Sequence, residues 1–217
     1  MPIAFFDLDR TLLSVNSGQL WVQFERREGR LRLGQALRAA AWIGAYHLGF
    51  GRIESVLEEA IESLKGQEEK EVRERTLRFY AAEVAQSFRP GAHRALAAHR
   101  AAGDTLALLT SSSLYLSEAV QQSVDIPHIC CNRFETHEGR FTGKPEGSLC
   151  FGPGKLHHAR ALAEQLGESL DNAIFYTDSA SDLPVMEVVG RAVAVHPDPT
   201  LARIARRKGW EIADWSR

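Results

Sequence analysis

The chain opens with MPIAFFDLDRTL (residues 1–12), in which the apolar run Ile3 to Phe6 leads directly into two carboxylates, Asp7 and Asp9. Continuous apolarity over four residues, without alternation, is typical of a strand that is buried on both faces of a parallel sheet. In such sheets, ligands bind beyond the carboxyl ends of the strands. The opening segment therefore predicts a buried strand with acidic side chains at the edge where ligands bind.

Three later apolar runs have the same form, and each ends in small, polar or acidic residues. Helical patterns separate them, and the repeated order of strand and helix predicts a doubly wound α/β fold with three layers. The predicted strands are 106–109 before Thr110, 173–176 before Thr177, and 192–195 before the sequence HPDP (196–199). The predicted helices are 91–102, 114–122, 155–166 and 200–208.

One long block interrupts this order. Residues 17–88 have an almost wholly helical pattern, and the sequence RPG (89–91) ends the block because proline and the residue before it disfavour helix continuation. We therefore expect a Rossmann-like core formed by residues 1–16 and 89–217, with an inserted helical cap formed by residues 17–88. The segment GRFTGKPEGSLCFGPGK (139–155) predicts a hairpin followed by a loop into a helix. Aromatic residues at helical spacings are expected to form the core of the cap: Trp21, Phe24, Trp42 and Tyr46.

The composition excludes several classes of protein. The chain is 44% hydrophobic and 25% charged, and its 26 Lys+Arg against 28 Asp+Glu leave no basic field to hold nucleic acid or an anionic membrane. The N-terminus has no signal-peptide pattern, and three cysteines form no disulfide framework. Residues 33–50 are weakly polar, but Gln35, Arg38 and His47 favour a buried or dimer-forming helix over a membrane span. We expect a cytoplasmic protein, with a homodimer as one possible assembly.

Polar residues at the predicted strand ends should converge on one point. Several carboxylates can share a dry site only with a cation, and oxygen ligands with room for water suit Mg²⁺. Together with a lysine and with hydroxyl and backbone N–H donors, such a site would hold phosphate. The residues concerned are Asp7, Asp9, Thr110, Ser111, Lys155, Asp178 and Asp182.

The order of these motifs resembles that of the haloacid dehalogenase superfamily of phosphatases. The matching segments are FFDLDRTL (5–12), LALLTSS (106–112), the lysine of GPGKLHHA (152–159) and YTDSASDLP (176–184). The resemblance covers the whole chain, with residues 17–88 in the place of a C1-type cap. The segments GRFTG (139–143) and DSASDLPVM (178–186) are similar to the phosphoserine-phosphatase-like IB subfamily.

The resemblance implies a role for each acidic residue. Asp7 would be the nucleophile that forms an aspartyl-phosphate, and Asp9 would protonate the leaving alcohol and then deprotonate water. Asp7, the backbone carbonyl of Asp9 and Asp178 would hold Mg²⁺. Asp182 would orient Lys155 or a metal-bound water. Thr110 would be catalytic, and Thr11, Asn16 and Ser111 would contact the phosphate or the substrate.

The substrate implied by the family is a small phosphorylated metabolite, read by the cap. Phosphoserine phosphatases have a glutamate that binds the substrate ammonium and a cap arginine that holds its carboxylate. Here Asn16 takes the place of that glutamate, and ESVLEEAIESLKG (54–66) contains no arginine, although Arg52 lies just before it. We therefore expect a carboxylate-free ester, such as the amino-alcohol phosphate histidinol phosphate, rather than phosphoserine.

Other functions remain open from the sequence. They are a phosphoserine phosphatase, a phosphotransferase that uses the same aspartyl-phosphate, and a receiver-type signalling module. A receiver module, however, has no seventy-residue insertion after its first strand and no acid two residues after its phosphorylated aspartate. A dehalogenase is disfavoured because its chemistry needs no metal. Lys144 competes with Lys155 for the role of the active-site lysine. His128, Cys130, Cys131 and His137 match no common zinc spacing.

Overall fold

The structure is a computed structural model of the chain that describes residues 1–30 and 53–217, without the side chains of residues 53–56. The predicted helix at 33–50 lies outside the described residues, as do Trp42, Tyr46 and Arg52. Within the described ranges, no helix is long and apolar enough to cross a membrane.

Six parallel strands form the main sheet: β1 (Ile3–Phe6), β2 (Thr105–Ser113), β3 (His128–Asn132), β6 (Ile174–Thr177), β7 (Arg191–Val195) and β8 (Glu211–Ala213). Their order is β3-β2-β1-β6-β7-β8. The register pairs Phe6 of β1 with Leu108 on one side and with Tyr176 on the other. The segments that follow Phe6, Leu108 and Tyr176 therefore lie side by side at one edge of the sheet, as the apolar runs predicted.

Helices cover both faces of the sheet, which confirms the predicted three-layer α/β fold. Alternate strand residues divide between two cores, with Phe6 and Leu108 in one and Phe5 and Leu109 in the other. The helices are α1 (Ser17–Arg27), α2 (Ile53–Glu62), α3 (Glu69–Phe79), α4 (Pro90–Ala102), α5 (Leu114–Val124), α6 (Pro153–Leu166), α7 (Leu183–Met186) and α8 (Pro199–Lys208).

Several boundaries differ from the sequence expectation. α4, α6 and α8 each begin at a proline just before the predicted start, since proline is favoured in the first helical turn, where its missing N–H costs nothing. β3 and β8 were not predicted: β3 is short and directly follows Pro127, and β8 has only three residues. The hairpin of β4 (Phe134–His137) and β5 (Arg140–Pro145) begins before residue 139, because its turn lies at Glu138 and Gly139.

The described part of residues 17–88 contains an apolar cluster and is hydrogen-bonded to the hairpin of β4 and β5. Trp21 and Phe24 of α1 contact the ring of Phe79 in α3, at centroid distances of 5.2 and 5.5 Å, in agreement with the predicted apolar cluster. The α2–α3 turn is bound to β5, since the Gly66 N–H donates to the Phe141 carbonyl at 2.8 Å. The division into core and cap at residues 16 and 89 stays a prediction.

Candidate active site

The edge of the sheet beyond β1 and β6 carries a buried lysine between two carboxylates. Lys155 Nζ donates to Asp7 Oδ1 at 2.7 Å and to Asp182 Oδ2 at 2.8 Å. Lys155 is 2% exposed and Asp182 1%, so these ion pairs are nearly free of solvent. The structure thus brings together three predicted site residues from β1, α6 and the segment after β6.

Asp7 is placed by backbone bonds at the end of β1. Its N–H donates to the Tyr176 carbonyl at 2.9 Å, which extends the pairing of β1 with β6 by one residue. The chain then makes a tight turn over Leu8–Leu12 that the Leu13 N–H closes by donating to the Leu8 carbonyl at 2.9 Å, and Arg10 within it has a left-handed φ of 58°. This turn returns Thr11 to Asp7, where its hydroxyl donates to Oδ2 at 3.2 Å. Both carboxylate oxygens of Asp7 therefore have a donor.

The segment after β6 supplies Asp178 and Asp182. Thr177 donates its hydroxyl to Asp182 Oδ2 at 2.6 Å, which fixes the carboxylate against Lys155. Asp178 is 8% exposed, close enough to Asp7 and Asp182 for their charges to act on it. Asp182 Oδ1 is buried and has no hydrogen-bond partner among the described residues.

Burial dominates the electrostatics of these groups. Burial raises the pKa of Asp7 to about 6, against the opposing charge of Lys155. Burial, followed by the charges of Asp7 and Asp182, raises the pKa of Asp178 to about 8. Burial alone would lower the pKa of Lys155, but the charges of Asp182 and Asp7 outweigh it and raise that pKa above its usual range. The site thus holds one firmly charged ammonium and carboxylates that favour protons in the absence of another cation.

Asp9 faces the start of α1 rather than the lysine. Its Oδ1 accepts from the Ser17 N–H at 2.9 Å, at the positive end of the helix. Burial raises the pKa of Asp9, and the hydrogen bonds from Ser17 oppose that rise. Asn16 caps the same helix, because its Oδ1 accepts from the Gln19 N–H at 2.9 Å. The described contact of Asn16 is therefore with the backbone of α1.

Thr110 and Ser111 lie in β2, beside the end of β1. Thr110 is buried, and its Oγ1 accepts from the Ser112 N–H at 3.1 Å. The Ser111 carbonyl accepts from the side chain of Asn132 at 2.6 Å, and Asn132 Oδ1 in turn accepts from the Cys150 N–H at 2.7 Å. The amide of Asn132 thus connects β2 to the loop that leads into α6.

The donor set fits a divalent cation. Asp7 and Asp182 pair with the ammonium of Lys155, and Asp178 lies near enough to feel all three charges, so these four side chains carry two excess negative charges when all are ionised. Within residues 1–30 and 53–217, no group of three or more His, Cys, Asp or Glu side chains is arranged as a metal site. Carboxylate oxygens such as those of Asp7 and Asp178, together with a backbone carbonyl, water and substrate oxygens, are the kind of set that Mg²⁺ takes.

The alternative candidates for the active-site lysine and for a zinc site lie elsewhere in the fold. Lys144 is exposed on β5, whereas Lys155 is buried in the site. Cys130 and Cys131 are buried thiols in β3, and burial raises their pKa values to about 12 and about 11, which disfavours the thiolate that zinc needs.

Sequence reasoning missed four residues that hold the site together: Thr177, Ser17, Asn132 and Asp198. Thr177 could have been found, because it directly precedes Asp178 at the end of a predicted strand. Ser17 acts through its own backbone N–H, and Asn132 and Asp198 bond to backbone groups of distant segments, so no short motif marks any of the three.

Comparisons with known proteins agree with this fold and site. The family described as haloacid dehalogenase-like hydrolase matches residues 4–187. A histidinol-phosphatase of Neisseria meningitidis serogroup C (strain 8013) is 27% identical over 218 residues, which cover 98% of each chain. A crystal structure of a protein of unknown function from Bordetella pertussis Tohama I has a TM-score of 0.89 and 29% identity, and the match covers 99% of this chain and 98% of that one.

A structure described as a phospho-aspartyl intermediate analogue of phosphoserine phosphatase has a TM-score of 0.72 and covers 100% of this chain and 93% of that one. At 17% identity, this similarity shows the fold alone. The family match spans most of the chain and includes the segments that carry Asp7, Lys155 and Asp182. The chain therefore belongs to the haloacid dehalogenase-like hydrolases and is an enzyme of their phosphatase type.

Proposed function

We propose that the protein hydrolyses a small phosphomonoester in two steps, with Mg²⁺ as cofactor and an aspartyl-phosphate on Asp7 as the intermediate. The observation that carries this proposal is the buried arrangement in which Lys155 Nζ joins Asp7 to Asp182 at the end of the central strand. A carboxylate held in this way presents a fixed oxygen to a phosphorus atom, and the ammonium attracts the phosphoryl oxygens.

In the first step, an oxygen of Asp7 attacks phosphorus and the bond to the ester oxygen breaks. Asp7 must be ionised for this attack, and a pKa of about 6 leaves it mostly ionised at neutral pH. Lys155 and Thr11 hold its two oxygens in place from different sides. Thr110, at the neighbouring end of β2, would donate its hydroxyl to a phosphoryl oxygen, and the Ser111 N–H would donate beside it.

Asp9 moves the protons. It gives a proton to the leaving alkoxide, and it then takes one from the water that attacks phosphorus and frees Asp7. A general acid must carry its proton when the substrate arrives, and the burial that raises the pKa of Asp9 favours that form. Ser17 holds the carboxylate at the head of α1, away from Lys155.

Asp7 and Asp178 would hold the cation, together with the backbone carbonyl of Asp9. When bound, Mg²⁺ would neutralise the excess charge of the carboxylates and stabilise the charge that develops on the phosphoryl group. Asp182 then keeps Lys155 in position, because it accepts from Nζ at 2.8 Å.

For the substrate, we propose a carboxylate-free amino-alcohol phosphate such as histidinol phosphate. The Neisseria relative that matches 98% of this chain is named a histidinol-phosphatase. The segment ESVLEEAIESLKG (54–66) contains no arginine to hold a substrate carboxylate, in contrast to the cap of phosphoserine phosphatases. A substrate carboxylate that is buried without a bidentate partner costs several kcal/mol.

The test compares kcat/KM for histidinol phosphate, phosphoethanolamine and phosphoserine with Mg²⁺, in buffer without an added alcohol, as release of inorganic phosphate. We expect release from the carboxylate-free esters at rates at least about tenfold above phosphoserine, since 1.4 kcal/mol of lost binding is already tenfold. A tenfold preference for phosphoserine would overturn the substrate proposal, and Arg52 would be the first residue to substitute. Phosphate release that stays absent in this buffer, with phosphoryl transfer once an acceptor alcohol is added, would indicate a phosphotransferase.

A further inference from the structure

The HPDP turn (196–199) lies next to the candidate site but has no part in the proposed chemistry. It follows β7, which pairs with β6 up to Thr177 and Ala194, so it lies beside the segment that begins with Asp178. Two hydrogen bonds connect the turn to that segment. The Asp198 N–H donates to the Asp178 carbonyl at 2.8 Å, and Asp198 Oδ2 accepts from the Ala180 N–H at 2.7 Å.

The second oxygen of the same carboxylate fixes it to a rigid element. Asp198 Oδ1 accepts from the N–H groups of Thr200 and Leu201, at 2.8 and 2.9 Å, and so caps α8. The helix is anchored in the core by Leu201 and Ala205, which are both fully buried. Asp198 therefore joins a fixed helix start to the loop that carries Asp178.

That loop needs an external restraint. Lys155 bonds to both Asp7 and Asp182, but the charges of these two carboxylates repel an ionised Asp178, which favours movement of the start of the loop away from them. Thr177 restrains Asp182 from within the same segment. Asp198 restrains the segment from outside, on both sides of Ser179. Its N–H bonds to the carbonyl of Asp178, and its carboxylate bonds to the N–H of Ala180.

We propose that Asp198 is a positioning residue for the divalent cation: its carboxylate holds the Asp178–Ala180 backbone in the place from which Asp178 reaches the metal. This inference rests on the proposed metal-dependent function. It predicts that Asp198 contributes to metal affinity separately from its contribution to helix stability.

Two substitutions separate these contributions. Asp198→Ser keeps a good N-cap for α8, but its single short hydroxyl cannot cap the helix and also reach Ala180. Asp198→Ala removes all three hydrogen bonds of the side chain, which accepts from the N–H groups of Ala180, Thr200 and Leu201. The thermal midpoint measured without metal should therefore stay near wild type for Asp198→Ser and fall for Asp198→Ala, which reports the loss of the cap.

Mg²⁺ affinity should follow a different pattern. Titration calorimetry of each substrate-free enzyme with MgCl₂ should give a Kd about tenfold weaker than wild type for both variants, which corresponds to about 1.4 kcal/mol. The inference is overturned if both variants bind Mg²⁺ as tightly as wild type, or if the Kd follows the thermal midpoint, with Asp198→Ser like wild type and only Asp198→Ala weak. If the wild-type enzyme neither binds Mg²⁺ nor is activated by it, the proposed function fails first, and the inference fails with it.

Discussion

Replacement of Lys155 by methionine should destabilise the metal-free protein strongly. Methionine has a similar volume but no charge, so the substitution leaves Asp7 and Asp182 buried at 2.7 and 2.8 Å from the position of the lost ammonium. Removal of one partner of a buried ion pair typically costs about 3–5 kcal/mol, because an uncompensated charge stays in the interior. We expect a loss of this size in the free energy of unfolding, measured by urea denaturation in EDTA at pH 8.

The loss should depend on pH in a defined direction. Without Lys155, burial and the charge of Asp182 act on Asp7 unopposed, so the pKa of Asp7 should rise above the value of about 6 that it has in the wild type. A carboxyl group with a raised pKa in the folded state holds more protons there than in the unfolded state, so stability falls as pH rises above about 4 toward the folded pKa. Each extra proton that the folded variant retains changes the difference in the free energy of unfolding between variant and wild type by about 1.4 kcal/mol per pH unit. The loss should therefore be at least about 1 kcal/mol smaller at pH 5 than at pH 8.

Lys144→Met is the matched control, because Lys144 is exposed on β5 and the substitution is the same. It should change stability by no more than about 0.5 kcal/mol at either pH. A loss below about 1 kcal/mol for Lys155→Met at pH 8, or an equal loss at both pH values, would refute the account of a charge-compensated buried cluster.

Three predictions concern turnover. Asp7→Asn should lower kcat by roughly 10⁴-fold or more, because the amide cannot attack phosphorus, and should change the unfolding midpoint little, because the amide keeps the shape of the carboxylate. A variant that retains a sizeable fraction of wild-type kcat would exclude Asp7 as the nucleophile. Asp9→Asn should cost about 10²–10⁴-fold on alkyl phosphates and clearly less on aryl phosphates with good leaving groups, and equal losses on both would assign Asp9 another role. EDTA should abolish phosphate release, and Mg²⁺ should restore it, whereas Ca²⁺ should restore it poorly because its coordination shell is larger and looser. Asp178→Ala should raise the Mg²⁺ concentration needed for half-maximal activity, and full wild-type activity in EDTA would contradict the metal assignment.

Much of the core fold was predictable because buried parallel strands leave a simple signal. The run Ile3–Phe6 before Asp7 predicted a buried strand, and the structure places it in the middle of the sheet. β3 was missed because it is an edge strand of five residues whose cysteines and histidine carry no strong strand pattern. Its parallel pairing with β2 joins segments that are distant in sequence, which no local period can show.

The site was predictable to the extent that its residues follow strands or begin helices. Asp7, Asp178 and Lys155 were found in this way, and the structure places all three in one buried cluster. Asp198 could not be found, because an aspartate before Pro199 is fully explained as a helix cap. Its second oxygen contacts Ala180, 18 residues earlier, and only the adjacency of β6 and β7 brings the two together.

The most direct test of the central claim is to trap the phosphoryl group on Asp7. The Mg²⁺-loaded enzyme is mixed with a substrate that it turns over, quenched in acid within the first turnovers, and digested with pepsin, which is active in acid. Mass spectrometry should show one phosphoryl group on a peptide that contains Asp7, assigned to Asp7 by fragmentation and absent from Asp7→Asn. Rapid phosphate release with an unmodified Asp7 peptide at every quench time, or a phosphoryl group assigned to Asp9, would contradict the proposed mechanism.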